Sequence, residues 1–434
     1  MQNRNKGITL IALIITIIIL LILVGVSINL AIKGDLFGSA EKAVSGTNDK
    51  TAQEQTRVDE LMGELGRVEE QQRQDNLPGT RVTENTKYVS NGKTAWIPKG
   101  FTVSGIKSEQ SIDNGLVIYD IPEGTTPDWS NPDSVKTKYN QFVWIPLEVK
   151  STDKENSIAS FYRSKWAENT ATGGERTTGL STDYTEPDST NDTADKTGIA
   201  DQITELTKSI YKYGGFYIGR YEAGSTTERT VSSSQIEKFV VQQDKYPYNC
   251  VKWGKSMSDV SEGAVYLCNN LYSATNTNYG ATSMLCTGAS WDSMLDFVKD
   301  SSHSITDSTT WGNYHNSETY KVYRGSLYSN SAWSKANTTA GTEVTENKSI
   351  LLTTGATERN SSKNIYDVAG NVLEWTTESS SSSGRVVRGR SLRLRWFWRS
   401  SELPRRLRSD RHRRRLHWLS SSTLCKAVGL QAIY

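Results

Sequence analysis

Hydrophobic and polar positions divide this chain into unequal stretches. From Ile8 to Ile32 the residues run ITLIALIITIIILLILVGVSINLAI, 25 positions without a charge. As a helix that run reaches about 37 Å, enough to cross a bilayer. A transmembrane helix within residues 1–32 is therefore expected, with Arg4 and Lys6 on the inner side and the rest of the chain outside. Residues 33–79 are different in kind. Glu, Gln, Lys and Ala dominate up to Asp75 without a proline, and Val58, Leu61, Leu65 and Val68 recur at spacings of three, four and three. This period predicts a helical stalk with a narrow apolar seam, stopped by NLPGT at Asn76–Thr80. Two heptads are short for a coiled coil. A solvated stalk is the preferred reading, and helix–helix self-association through the seam is the alternative.

Beyond residue 80 the period shortens. KTAWIPKGFTVSGI and GLVIYDI alternate with Gly and Asn turns and lead into FVWIP at Phe142–Pro146, so strands are predicted there. Residues 151–202 are dense in Thr, Ser, Asp and Gly and poor in aliphatics, which predicts a long surface insertion. Order returns at Tyr211–Tyr221. SDVSEGAVYLCNNL and TGASWDSMLDFV carry aliphatics at helical spacing and predict two amphipathic helices, their aromatics assigned to the core. In NIYDVAGNVLEWTTE, Asn364–Glu378, an apolar run is broken by Asp367, Gly370, Asn371 and Glu374. It reads as a turn feeding a core strand, and carboxylates so placed are paired or hold a metal. The fold class is α+β.

Charge changes the picture at one end. The net charge is +2, yet residues 390–434 hold eleven arginines and Lys426 against Glu402 and Asp410, a net of +10, so residues 1–389 carry −8. Arginines interleaved with Trp396, Phe397 and Trp398 suit phosphate binding, but a chain exported across a membrane meets no nucleic acid, and none is expected as a partner. The cysteines, Cys250, Cys268, Cys286 and Cys425, form no close pair, which favours buried thiols or one disulfide over catalysis. His303 and His315 lie in polar loops, His412 and His417 in the arginine-rich tail, and no spacing suggests a metal–histidine cluster or a Ser-His-Asp triad. No catalytic residue is assigned.

FVWIP, GGFYIGRYEAG at Gly214–Gly224, PYNCVKWGKSMSDVSEGAVYLCNNL at Pro247–Leu271, TSMLCTGASWDSMLDF at Thr282–Phe297, NIYDVAGNVLEWTTE and RVVRG at Arg385–Gly389 occur in this order. Together they resemble the blocks of the sulfatase-modifying-factor, or formylglycine-generating-enzyme, family. The resemblance implies a C-type-lectin-like domain over residues 80–389. It also implies a structural Ca²⁺ held by Asp367, the carbonyls of Gly370 and Val372, and Glu374, a hard-cation oxygen set. The alternative is that Asp367 and Glu374 cap turns and pair with an arginine such as Arg388. The family's copper-binding cysteine pair near the C-terminus is absent.

Where that family closes in Gly-, Ser-, Tyr- and Ala-rich sequence, this chain has its arginine-rich tail. HWLSSS and ELPRRLRSD can be encoded so that an adjacent frame reads TGFRP and SYRDAYA, so residues 390–434 are expected to be out of frame, disordered and unable to complete the fold. KGITLIALIITI resembles the start of type IV pilins and pseudopilins, implying cleavage after Gly7. Ala12 stands where that family uses Glu in assembly, so anchoring is expected rather than polymerisation. The expected protein is a cell-surface, single-pass ligand-binding or adhesin-like molecule without catalysis, its partners a membrane and an extracellular ligand. The alternatives are a formylglycine-generating oxidase acting on sulfatases and a pilin-like structural subunit.

Overall fold

FVWIP illustrates why the body is built on a sheet covered on both faces. In the computed structural model Phe142 and Trp144 enter one hydrophobic cluster, while Val143 and Ile145 enter another. A continuous apolar strand is what burial of both faces requires. The structure describes residues 40–155, 158, 161, 186–187, 198–229, 238–256, 258–305, 307–346, 350–381 and 384–389, with strand backbone at 405–408, 423–424 and 427–432. It separates into a unit up to Gln72 and a unit from Arg73 onward.

The described part of the first unit is the greater part of a 36-residue helix, α1 (Ala40–Asp75). Val58, Leu61 and Val68 of its seam are 38%, 50% and 62% exposed. The expected placement in a membrane is corrected here. Among the described residues no helix is long and apolar enough to cross a membrane, because α1 is polar along its length. The run Ile8–Ile32 and Gly7 lie outside the described residues, and the single-pass, cell-surface assignment is withdrawn.

In the second unit the central sheet contains β1 (Thr102–Val103), β2 (Val117–Tyr119), β3 (Gln141–Pro146), β4 (Gly215–Gly219) and β5 (Ala281–Leu285). Alternation along each strand assigns its faces. Ile118, Tyr217 and Leu285 join Phe142 and Trp144, whereas Val117, Phe216, Ile218 and Met284 join Val143 and Ile145. Helix α2 (Ile199–Tyr213) begins inside the stretch expected to be insertion and contributes Leu206 and Ile210 to the second cluster. Helix α3 (Gly263–Asn269) is shorter than its sequence suggests, since Glu262 is extended and no side chain caps it. Helix α4 (Gly288–Val298) is capped by Thr287, whose hydroxyl accepts from Ser290 N at 2.9 Å, and it buries Trp291, Met294, Leu295 and Val298.

A hairpin of β6 (Ser326–Ser329) and β7 (Ala332–Lys335) pairs on its other side with β8 (Leu351–Leu352). The stretch Asn364–Glu378, whose bend we call the signature turn, then enters β9 (Leu373–Ser381), antiparallel to β10 (Gly384–Arg388) with Glu374 opposite Arg388.

The tail corrects the expectation of disorder at three short segments. Its backbone forms β11 (Arg405–Arg408) against β10, β12 (Thr423–Leu424) parallel to β9, and β13 (Ala427–Ala432) between β4 and β5. The central order is β1-β2-β3-β4-β13-β5, so the tail supplies the inner strand that joins the two halves of the sheet. Strand pairing is a main-chain property, and a missing inner strand would leave two rows of buried N–H and C=O groups without ladder partners.

Asp120, just after β2, ties that strand to the rest of the body. Asn140 donates to it from its backbone (2.7 Å) and its side chain (2.8 Å), and the Tyr272 hydroxyl donates at 2.7 Å. Burial raises the carboxyl to about 6 despite these donors. The native state therefore binds this proton more tightly than the unfolded chain does. Its contribution to stability is complete below the ordinary aspartate range and is lost as pH rises through about 6. The stability of wild type relative to Asp120→Asn is expected to fall by at most about 3 kcal/mol between pH 4 and 7. Urea unfolding of both proteins across that range checks it, and a flat difference would refute it.

Candidate metal centre

The signature turn is built from residues that tolerate the left-handed region. Lys363, Asn364, Asp367 and Asn371 have φ of 47°, 64°, 58° and 60°, and Gly370 has φ 124°. Asn and Asp are among the few side-chain-bearing residues that adopt such φ readily. Gly370 answers a further demand. A Cβ there would lie 2.2 Å from the carbonyl oxygen of Asn313, because Asn313 N donates to Ala369 O at 2.9 Å and Asn371 N donates to Asn313 O at 2.7 Å.

Asn371, in the sequence only a break in the apolar run, is the hub. Its amide donates to Glu222 Oε2 at 2.8 Å and to Leu352 O at 3.1 Å. Its oxygen accepts from Leu352 N at 2.9 Å and from Asn313 Nδ2 at 3.0 Å. One fully buried amide thereby fastens the turn to β8, to the loop at Asn313 and to the chain after β4.

The four expected ligands do not behave alike. Asp367 directs Oδ2 to the Gly355 amide, 2.8 Å away, and the Gly370 carbonyl accepts from Val372 N at 2.8 Å. The Val372 carbonyl and the Glu374 carboxylate instead face one small space beside Gly389. A Cβ placed on Gly389 would lie 3.6 Å from the oxygens of Val368 and Val372 and 3.9 Å from Glu374 Oε2. The Glu374 carboxylate is 1% exposed, and carboxylate and carbonyl oxygens are the donor types a hard cation takes. When bound there, Ca²⁺ would supply positive charge that offsets burial of the carboxylate and would cross-link the turn. Among the described residues no group of three or more His, Cys, Asp or Glu side chains could hold a metal. Any such centre would rest largely on main-chain carbonyls.

Arg388, the alternative partner of these carboxylates, is engaged elsewhere. Its Nε and one terminal nitrogen donate to the two oxygens of Glu378 at 2.8 Å each, and the other terminal nitrogen donates to Asp292 at 3.2 Å. Burial alone would lower this guanidinium, but Glu378 and Asp292 outweigh it and hold it above its ordinary value. Helix α4 is thereby clamped to β9 and β10. A second buried ion cluster joins Arg220 to Glu109 at 2.8 Å, with Lys136 at 3.2 Å from the same carboxylate.

Copper chemistry of the family type does not fit these residues. Cys250, Cys268 and Cys286 are thiols rather than half-cystines. Cys268 and Cys286 are 0% and 1% exposed in separate hydrophobic clusters, and burial pushes the Cys250 thiol up. The Cys250 thiol, raised in this way, supplies little thiolate, which is the ligand copper needs.

Comparison with protein-family models, with curated proteins and with solved structures yields no match.

Proposed function

We propose that this protein is a non-catalytic ligand-binding protein, its second unit a domain of the sulfatase-modifying-factor, C-type-lectin-like kind with a structural Ca²⁺ at the signature turn. The observation that carries this reading is the state of the thiols. An oxidase of that family needs two adjacent, accessible thiolates, and the described cysteines are dispersed and largely buried. Two clusters of buried charges in this protein, Arg388 with Glu378 and Asp292 and Arg220 with Glu109, are paired internally.

The surface proposed for ligand contact is the β6–β7 hairpin. Tyr328 and Trp333 face each other in register with ring centres 5.3 Å apart, and Tyr246 packs 5.0 Å from Trp333. Trp333 Nε1 donates to Arg229 O at 2.8 Å, which holds the indole in place. Half-exposed, positioned aromatics give contact area at little entropic cost.

The test has two arms. Incubated with copper, oxygen and a cysteine-containing sulfatase peptide, the protein is expected to form no formylglycine, and product formation would overturn the reading. On arrays of immobilised glycans and peptides the protein is expected to bind, and Trp333→Ala is expected to weaken that binding by about 10- to 30-fold. Unchanged binding by this variant would remove the hairpin as the contact surface.

A further inference from the structure

We propose that the β6–β7 hairpin takes an extended peptide as an added antiparallel strand along β7, with an acidic residue opposite Lys335 and an apolar residue opposite Trp333. This rests on the ligand-binding reading above and names the class of ligand for that surface. Asn330 and Ser331, both left-handed at φ 50° and 64°, form the two-residue loop that fixes the hairpin register. That register decides which main-chain groups of β7 face outward.

Just beyond the hairpin Ala336 N donates to Gly325 O at 3.0 Å, so these two residues form a hydrogen-bonded pair. Bonded and non-bonded pairs alternate along an antiparallel ladder. Ser326 with Lys335 and Tyr328 with Trp333 are then non-bonded pairs, whose N–H and C=O groups point away from each other. On the β6 side those groups are taken up, since Ser326 O accepts from Thr353 N at 3.0 Å and Ser326 N donates to Thr353 Oγ1 at 2.9 Å. On the β7 side the groups of Trp333 and Lys335 meet no strand among the described residues, because β7 ends its three-stranded sheet.

Two donors and two acceptors thus stand in a row about 7 Å long. Natural edges are commonly blunted by a proline or a bulge. Ala332–Lys335 contains no proline, and its pairing with β6 runs without a register shift. Side chains then select the partner. Trp333 and Lys335 lie two residues apart and share a face with Tyr328. A carboxylate opposite exposed Lys335 gains a cross-strand ion pair, and an apolar side chain opposite Trp333 extends the Tyr328–Trp333 row. In an antiparallel strand the residue facing Lys335 precedes the one facing Trp333 by two positions, so the recognised pattern is acid, any residue, apolar. A second copy of β7 carries no carboxylate to place there.

The experiment titrates the full-length protein by calorimetry with the end-capped peptide Thr-Glu-Thr-Val-Thr. Its valine faces Trp333 and exchanges both hydrogen bonds with it, whereas the central threonine turns its N–H away from β7. The peptide is expected to bind. N-methylation of the valine nitrogen is expected to weaken binding by about tenfold or more, and N-methylation of the central threonine nitrogen by less than about threefold. A lysine in place of the glutamate is expected to weaken binding by about threefold. Lys335→Pro, at a nitrogen the β6 ladder does not use, is expected to melt near wild type and to bind more weakly than Lys335→Gln. Equal effects of the two N-methyl groups overturn strand addition and leave the hairpin as a side-chain contact surface. Glycan binding on the arrays without peptide binding at millimolar concentration also overturns it and leaves the ligand-binding reading standing. Dimerisation in sedimentation that Lys335→Pro abolishes assigns the edge to a second copy and overturns the peptide. A wild type that binds neither glycan nor peptide removes both readings.

Discussion

Replacing Arg388 with Met is expected to destabilise the second unit by about 3–5 kcal/mol, the range for breaking a buried ion pair by removing one partner. The side chains of Arg388, Glu378 and Asp292 are 2%, 0% and 2% exposed. Without the guanidinium, two carboxylates stay buried together. They must then ionise without compensation or take up protons, and either response costs stability at neutral pH. Thr376 Oγ1, which donates to Glu378 at 2.9 Å, offsets only a small part. Adding Glu378→Leu to Arg388→Met should recover part of the loss, because one buried charge then disappears with its partner. Urea denaturation at pH 7 measures both variants. A cost below about 1 kcal/mol for Arg388→Met would mean that the cluster is effectively solvated and that α4 is held to the strands by apolar contact alone.

Gly370→Ala is expected to cost about 3 kcal/mol or more, and to do so by moving the signature turn rather than by loosening the core. The added methyl would sit 2.2, 2.6 and 2.9 Å from the O, C and N atoms of Asn313. These are backbone atoms, already engaged with Ala369 and Asn371, so neither side can give way without losing hydrogen bonds. The φ of 124° adds strain of its own. Because Asn371 is the next residue, displacement should also break its bonds to Leu352 and Glu222. Native-state hydrogen exchange distinguishes this from a general loss of stability, since amides at Leu352 and Asn371 should lose protection before those of β3. Uniform loss across the sheet would argue against a local cause.

Much of the scaffold could be read from residue pattern. The strand at FVWIP, the α4 helix in TGASWDSMLDFV and the long polar helix ending before NLPGT all follow from period and capping residues acting over a few positions. Local signals were less reliable at boundaries. The shortening of α3 to Gly263–Asn269 depends on Gly263, whose φ of 84° and approach to the Lys252 carbonyl are set by a neighbouring loop. The start of α2 at Ile199 was hidden because the preceding stretch is uniformly polar.

The candidate metal centre was legible only as a contradiction: two carboxylates and an Asn inside an apolar run. Residue type shows that Asp367 and Glu374 require compensation, since an uncompensated buried charge is too costly to retain. It does not show what compensates them. Arg388 lies opposite Glu374 in the β9–β10 register yet gives its guanidinium to Glu378 and Asp292.

What this chain determines by itself is therefore local: which stretches are helix or strand, which strand faces are apolar, and where a buried polar atom will need a partner. Tertiary structure alone decided that Asn371 joins three segments, that the Val368 and Val372 carbonyl oxygens and Glu374 come close to Gly389, and that the backbone of Ala427–Ala432 pairs with β4 and β5. The reason is physical. Periodicity is written in neighbouring residues, whereas a carbonyl carries no side-chain signature, and the direction in which it points is set by φ and ψ in the folded chain.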